Sequence, residues 1–485
     1  MAATSNSSAN VASLSSAAAP TTSASSAKAV AASSTVATVA PTTAQSTSAR
    51  ATTSAPAASS ASVKPAAAGV KITWWSGWGS GGLAAKSFDV VAGAANKADL
   101  GFQVEHTVPP GDVAKKLTVA IAAGTPPDVE AGNLSYPEFW ASGQAIALDS
   151  YLAKSQTLKK SDLLAASWTF GSYQGHTYGV PALESFVRWG LVVNADLLAK
   201  RGLDGAALPN NWSDLLDWHK KLTVVDPASK AITQLGIDPL DAMGGSMSGG
   251  DPFFWGPSSG LGTGYYDEKA AKFNLVNSQL EDALAAIKSF YDAAGGYAAV
   301  QTFRKTNGEW TGAKSGIVMG TQAMQINSYW TIGSVTQLAP TKRYVYGWPP
   351  TSPDRKGKKI QSTGGHFAVL PKGSPFPDQA FAFAEYLTSE AVEQIIFDGP
   401  GWLGARKSFL AKVDVKQHPG LDFFIQSATT ADELWGDPVD PIEGFFADTW
   451  AAQAVKVFQG TQTPQDALQQ MQQLSTVQLA KQLGK

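Results

Sequence analysis

An α/β protein with two lobes behind an unstructured leader is what this sequence predicts, and three observations carry the prediction. Composition breaks at residue 70: residues 1–69 hold no aromatic side chain and only three charged ones (Lys28, Arg50, Lys64), whereas all 15 tryptophans follow Thr73. Beyond the break, short β-branched and aromatic runs alternate with segments of helical spacing, which is the pattern of the α/β class. The length of 485 residues suits about two to three domains at roughly 150 residues each, so two separate cores fit.

The leader is Ala, Ser, Thr, Val and Pro almost throughout. Such a segment cannot bury enough apolar surface to offset chain entropy, so residues 1–69 are expected to be a disordered tether. Its reach is roughly 45 Å as a coil and about 200 Å extended. No hydrophobic signal core and no run of 18 apolar residues is found, and the sequence reads as a mature exported form in which Met1 replaces a signal segment and a lipid-bearing cysteine. A net charge of −2 gives no electrostatic footprint for nucleic acid or an anionic membrane, and points to an uncharged or small partner. The absence of cysteine excludes disulfides, thiolate metal sites and cysteine nucleophiles.

The folded part opens with residues 71–82, KITWWSGWGSGG. Its β-branched and aromatic start suits a strand and its Gly/Ser run suits a loop. In an open α/β sheet the carboxyl end of such a strand faces the ligand crevice, which places Trp75 and Trp78 there. Residues 84–97 then read as a helix, 102–106 as a strand and 113–123 as a helix. GTPPDV at 124–129 stops that helix and enters a strand, because proline cannot continue a helix and biases its predecessor to extended structure. A short helix at 136–142 and an apolar segment at 147–152 follow. Residues 188–194 read as a long strand, 196–201 and 211–222 as helices, and 241–264 as a glycine-rich stretch carrying Asp251 and Trp255. Helices at 280–294 and 378–387 flank strands at 315–327, 344–348 and 366–370, and the last third is mainly helical.

Ordered along the chain stand AAGTPPDV at 122–129, ASGQAIALDSYL at 141–152, GHTYGVP at 175–181, VVNADLLAKRGLD at 192–204 and NNWSDLLDWHKKLT at 210–223. GAKSGIVMGTQAMQINSYW at 312–330, TGGHFAVLPKGS at 363–374, AFAFAEYLTSEA at 380–391 and GWLGARKSF at 401–409 complete the series. In order and spacing this series resembles the family 1 extracytoplasmic solute-binding proteins of carbohydrate ABC importers, which include maltose-binding protein. The resemblance runs from about residue 72 to 409. It departs at Val193, where the family commonly has tyrosine, a change in keeping with a packing swap.

The resemblance implies a two-lobed periplasmic-binding-protein fold with hinge-connected lobes and a C-terminal helical portion. Mapped here, it puts crossings near 180–188, 315–318 and 362–366. One lobe would hold residues 70–184 plus 317–362, the other residues 185–316 plus 363–485. It also implies an extracytoplasmic monomer, tethered to the outer face of the membrane, that captures a neutral sugar and passes it to permease subunits without cofactor, metal or catalysis.

Tryptophan is the informative residue for such a ligand, since an indole stacks on the C–H face of a sugar while hydroxyls need charged or amide partners. Trp218, Trp310 and Trp450 are assigned to packing. Trp75, Trp78, Trp255, Trp330 and Trp402 are the candidate stacking residues, with Trp330 at the position of a stacking tryptophan in maltose-binding protein. Asn133, Glu184, Arg188, Asp251 and His366 are the candidate hydroxyl partners, against strand-end capping or ion pairing.

Two other chemistries compete. Gly77, Gly79 and Gly82 satisfy G-x-G-x-x-G with Glu105 downstream, as a dinucleotide site requires, but the bulk of Trp78 sits in the turn that must approach a pyrophosphate. Glu130, Glu184 and Asp251 could furnish the carboxylate pair of a glycoside hydrolase. GPSSG at 256–260 matches a nucleophile elbow without helical context or partners. The five histidines show no metal-binding spacing.

Overall fold

In the computed structural model of the protein, two five-stranded sheets organise two cores. The structure describes residues 69–77, 83–132, 137–240, 254–262, 264–308, 312–416, 418–436 and 439–484.

The first lobe begins with β1 (Lys71–Trp75), α1 (Leu83–Lys97), β2 (Gln103–Thr107), α2 (Val113–Ala122), β3 (Val129–Glu130), α3 (Pro137–Ala141) and α4 (Asp149–Lys154). The hairpin β4 (Ser172–Tyr173) and β5 (His176–Thr177) and the strand β6 (Gly179–Pro181) follow. In β1 the residues alternate as sequence dictates: Ile72 and Trp74 are fully buried, and their neighbours face the other way. β1 runs parallel to both β2 and β3, with Trp74 opposite His106, and Trp75 opposite Thr107 and Glu130. The carboxyl ends of three parallel strands therefore open on one side of the sheet. Helix starts follow side-chain capping, as where Asp112 accepts from Lys115 N–H ahead of α2.

The second lobe holds β7 (Gly190–Asn194), α5 (Ala195–Ala199), α6 (Trp212–Leu222), β8 (Val224–Val225), β9 (Ile232–Ile237), α7 (Trp255–Ser258), β10 (Tyr266–Asp267), β11 (Lys272–Phe273), α8 (Ser278–Ala293) and α9 (Tyr297–Asn307). It continues through α10 (Gly316–Met319), β12 (Gln322–Asn327), α11 (Trp330–Leu338), β13 (Tyr344–Gly347) and β14 (Ile360–Thr363). Its sheet has the order β13-β7-β12-β9-β8.

The chain then returns to the first sheet with β15 (Phe367–Val369), which pairs antiparallel with β3 and β6, and adds α12 (Pro377–Tyr386), α13 (Glu390–Asp398), α14 (Lys407–Leu410) and α15 (Leu421–Thr430). The strand β16 (Glu433–Gly436) pairs parallel with β14, after which α16 (Glu443–Phe458) and α17 (Pro464–Gln482) pack on the second core.

The α/β class, the two sheets and the C-terminal helices agree with the sequence reading, but the partition differs. Residues 317–362 belong with the second sheet, and residues from 363 onward begin in the first. The cause is local. The stretch 315–327, expected as one strand beside a crossing, is instead α10, a left-handed Gly320 (φ 79°) and β12, all in the second lobe. With no crossing at 315–318, residues 317–362 and the segment from β15 to α15 change sides, while α16 and α17 stay with the second lobe as expected. The crossings are residues 182–189, residues 364–366, and the segment through β16, which was not expected as a strand.

Each lobe has its own core. Phe88, Val91, Phe383 and Ile396 pack one face of the first sheet, and Leu117, Phe139, Trp140 and Phe367 the other. Leu215, Trp255, Ile287, Phe290, Trp450 and Met471 fill the second. Among the described residues no helix is long and apolar enough to cross a membrane.

Candidate functional site

The crossing segments are held by a buried polar network. Gln361 in β14 accepts from Trp189 N–H at 2.7 Å and donates to Trp189 O at 2.9 Å and Ser427 Oγ at 2.7 Å. It thereby ties the first crossing to the second and to α15. Glu184 in the first crossing accepts the Tyr329 hydroxyl at 3.0 Å and faces Arg188 Nη2 at 3.5 Å. Leu403 N–H donates to the same tyrosine oxygen at 2.9 Å. His366 N–H donates to Glu184 O at 2.6 Å, an approach open only because Gly365 lacks a side chain and adopts φ 127°.

Burial lifts the Glu184 carboxyl above its ordinary value although Arg188 and Tyr329 pull it down, and it lifts the Tyr329 hydroxyl well above its own. Burial also pushes the His366 imidazole down to about 3, with Arg188 adding to the effect. The histidine is therefore neutral, and the hinge interior holds a carboxyl, a guanidinium and a phenol that satisfy one another.

This placement corrects part of the expected site. Glu184, Arg188 and His366 are 4%, 6% and 1% exposed; Glu184 and Arg188 face each other in the first crossing, and the His366 ring packs against Trp402. Trp255 is 1% exposed, donates its indole N–H to Pro239 O at 2.9 Å and packs edge-on or tilted against Trp212, Phe254 and Phe290. It is a core residue. The glycine-rich sequence ahead of it suggested a loop, but α7 carries it inward. Trp218 and Trp450 are core as expected. Trp78, Asn133, Asp251 and Trp310 lie outside the described residues.

Trp75, Trp330 and Trp402 are half-buried. Trp75 ends β1 beside Glu130. Trp330 opens α11 next to Tyr329, with ring centroids 5.5 Å apart, rather than following a strand end. Trp402 packs edge-on against His366 at 5.1 Å. The sequence reading missed Trp435. It lies half-buried in β16, in the third crossing, with Arg355 6.0 Å from its ring and Trp189 edge-on at 6.4 Å. The signal was present as ELWG followed by DP, a short strand before a proline turn, inside a region whose composition favours helix.

Away from the hinge the lobes touch. Gln174 N–H, in the β4–β5 hairpin, donates to Glu268, in the β10–β11 hairpin. An open cavity of about 1100 Å³ lies between these two hairpins. Beside it Gly444 N–H, at the start of α16, donates to Glu138 of α3 at 3.0 Å. Asp440 is fully buried there, accepting from Ile442 N–H at 2.9 Å, and burial with Glu138 nearby pushes its carboxyl up to about 7.

The geometry is that of a hinged pair of lobes with aromatic rings at the hinge and a polar lip. Among the described residues no group of three His, Asp or Glu could hold a metal ion. Residues 91–422 match the family described as bacterial extracellular solute-binding protein. A search of curated proteins returns no match. Among solved structures, the chain is similar to CpMnBP1 with mannotriose bound, at 22% identity and TM-score 0.71, over 84% of this chain and 100% of that one. An ABC substrate-binding protein from Listeria monocytogenes in complex with cycloalternan shares 19% identity and TM-score 0.64, over 86% and 99% of the two chains. The maltose/maltodextrin-binding domain from Bdellovibrio bacteriovorus bound to maltotriose shares 18% and 0.62, over 84% and 100%.

Proposed function

Because the chain belongs to the bacterial extracellular solute-binding proteins, we propose that it captures a neutral sugar or oligosaccharide between its lobes and delivers it to the permease of an ABC importer. Members of this family carry a solute and do not transform it, so neither the hydrolase nor the dinucleotide reading is retained.

The observation that carries the proposal is the set of half-buried indoles: Trp75 at the carboxyl end of β1, Trp330 beside the hinge tyrosine Tyr329, Trp402 against His366, and Trp435 in the third crossing. Half-buried rings keep a face for a sugar C–H surface. Three similar structures with an oligosaccharide bound support the same ligand class. Neutrality is supported by the way acids and bases at the crossings are already matched: Glu184 with Arg188 and Glu433 with Arg355. A charged ligand would need an unmatched partner.

Binding works through differential affinity. Contacts made only when both lobes engage the sugar shift the open–closed equilibrium towards the closed form. We assign the stacking role to Trp75, Trp330, Trp402 and Trp435, and keep Trp78, Asn133 and Asp251 as contacts on sequence grounds. The leader would serve as a tether to the outer face of the membrane, and the protein would act as a monomer. A thermal-shift screen of neutral mono- and oligosaccharides tests the proposal, since a ligand that binds only the native state raises its apparent stability. A sugar that raises the midpoint supports it; a midpoint raised only by charged solutes refutes it.

A further inference from the structure

The carboxyl end of β1 is fastened by a hydrogen-bond chain that the ligand reading does not use. Ser76 Oγ lies 2.8 Å from His106 Nε2, and His106 Nδ1 lies 2.7 Å from Asp89 Oδ1. An ionised carboxylate can only accept, so Nδ1 carries the proton, Nε2 is the acceptor and the Ser76 hydroxyl donates to it. The three residues come from three elements: the end of β1, β2 and the second turn of α1. Ser76 is fully buried and the imidazole is 3% exposed, while the Asp89 carboxylate is 71% exposed. The imidazole is 4.5 Å from the Trp74 ring and edge-on to Phe88 at 5.8 Å. Backbone bonds complete the clasp, from Ser76 N–H to Thr107 O at 3.2 Å and from Gly77 N–H to Gly132 O at 3.3 Å.

Serine, histidine and aspartate in this order resemble a hydrolytic triad. Here the hydroxyl is sealed inside, where no substrate reaches it, and Trp75 is the neighbour that faces the other side of the sheet. We propose that Ser76, His106 and Asp89 form a positioning relay that fixes the carboxyl end of β1, and with it Trp75, in the orientation that receives the ligand. The inference rests on the saccharide-binding reading for its consequence but not for its geometry.

The relay makes binding sensitive to pH. A doubly protonated His106 would present N–H to Ser76 Oγ. The hydroxyl must then accept, and its own proton loses its buried acceptor. Burial holds the imidazole below its ordinary 6.5, outweighing the opposing pull of Asp89. A depressed histidine stabilises the ordered form above the ordinary value, and that contribution is lost as pH falls through the lower folded value. Other charges on the packed elements are accounted for elsewhere. Lys71 and Glu105 pair on the opposite, exposed face of β1 and β2. Lys86 and Lys97 of α1 are exposed. Glu390, Glu393 and Asp398 of α13 are bonded to Lys412, Arg406 N–H and Gln394.

The test is hydrogen exchange of the Ser76 and Gly77 amides in the full chain, together with saccharide affinity, at pH 7.5 and 5 in wild type, His106→Leu and His106→Gln. Glutamine keeps a non-titrating acceptor for Ser76. Wild type should lose amide protection and affinity as pH falls below the ordinary 6.5, by at most about tenfold per pH unit for one proton. His106→Leu should be weak and unprotected at both pH values, and His106→Gln should recover pH 7.5 affinity with a flat profile. Unchanged wild-type protection at pH 5, or a leucine variant that loses global stability while its folded fraction keeps wild-type affinity and pH profile, overturns the relay. Labelling of Ser76 by a fluorophosphonate overturns it in favour of a reactive serine. If no saccharide binds wild type, the ligand reading fails and the exchange data alone decide the relay.

Discussion

Replacing Gly365 by alanine perturbs the hinge at one point whose cost follows from geometry. A β-carbon there would stand 2.1 Å from Glu184 O and 2.6 Å from Glu184 Oε2. An ordinary carbon–oxygen approach is about 3.3 Å, so the two crossing segments must part by roughly 1 Å. The obstacle is a main-chain oxygen, which cannot swing away as a side chain would. Parting breaks the bond from His366 N–H to Glu184 O, a loss of about 1 kcal/mol. Holding an L-residue at positive φ adds roughly 1–2 kcal/mol. Gly365→Ala should therefore cost about 2–3 kcal/mol, before any loss from the Glu184–Tyr329 contact. Urea unfolding read at constant slope measures it. A loss below about 0.5 kcal/mol, the range of an indifferent surface change, would refute the view that the crossings are locked by this approach.

Trp255→Ala should destabilise the fold by about 3–5 kcal/mol through the cavity it opens, with saccharide affinity of the folded fraction unchanged; a selective loss of affinity would return Trp255 to the site. Trp330→Ala should instead weaken binding by roughly 1–3 kcal/mol, about five- to 150-fold, and change the ligand-induced fluorescence; a large fall in urea midpoint with unchanged affinity would make it a packing residue. Asp440, lifted to about 7 where the lips meet, favours the assembled form while neutral. Its contribution is full below the ordinary 3.8, declines as pH rises towards 7 and is gone above it. Melting temperature followed from pH 4 to 8 should show that decline, and Asp440→Asn should flatten it.

How far the sequence could be read depended on the range over which its signals act. The alternation of β1, α1, β2 and α2 and the capped start of α6 at Asn211 were legible because they arise within a few residues. The stretch 315–327 was not, because the apolar run GIVM suits a buried strand or a helical turn equally, and only Gly320 in the left-handed region separates α10 from β12. That ambiguity was enough to exchange two segments between lobes. The hinge network was invisible for another reason: Glu184 and Tyr329 are 145 residues apart, and no local pattern in either announces the pair. Candidate contacts chosen by residue type therefore included Glu184 and Arg188, which have the right chemistry and face each other, and His366, whose ring is buried against Trp402.

The central claim, capture of a neutral saccharide by closure of the two lobes, is tested most directly by an inter-lobe distance. The chain has no cysteine, so Lys154→Cys in α4 and Lys269→Cys beside the β10–β11 hairpin, both exposed in the native protein, can carry a fluorescence-transfer pair without background labelling. A neutral oligosaccharide should shorten that distance, saturating with one ligand per chain over the same concentrations that give the binding isotherm. Saturable binding with an unchanged distance, or shortening only with a charged solute, would contradict the account.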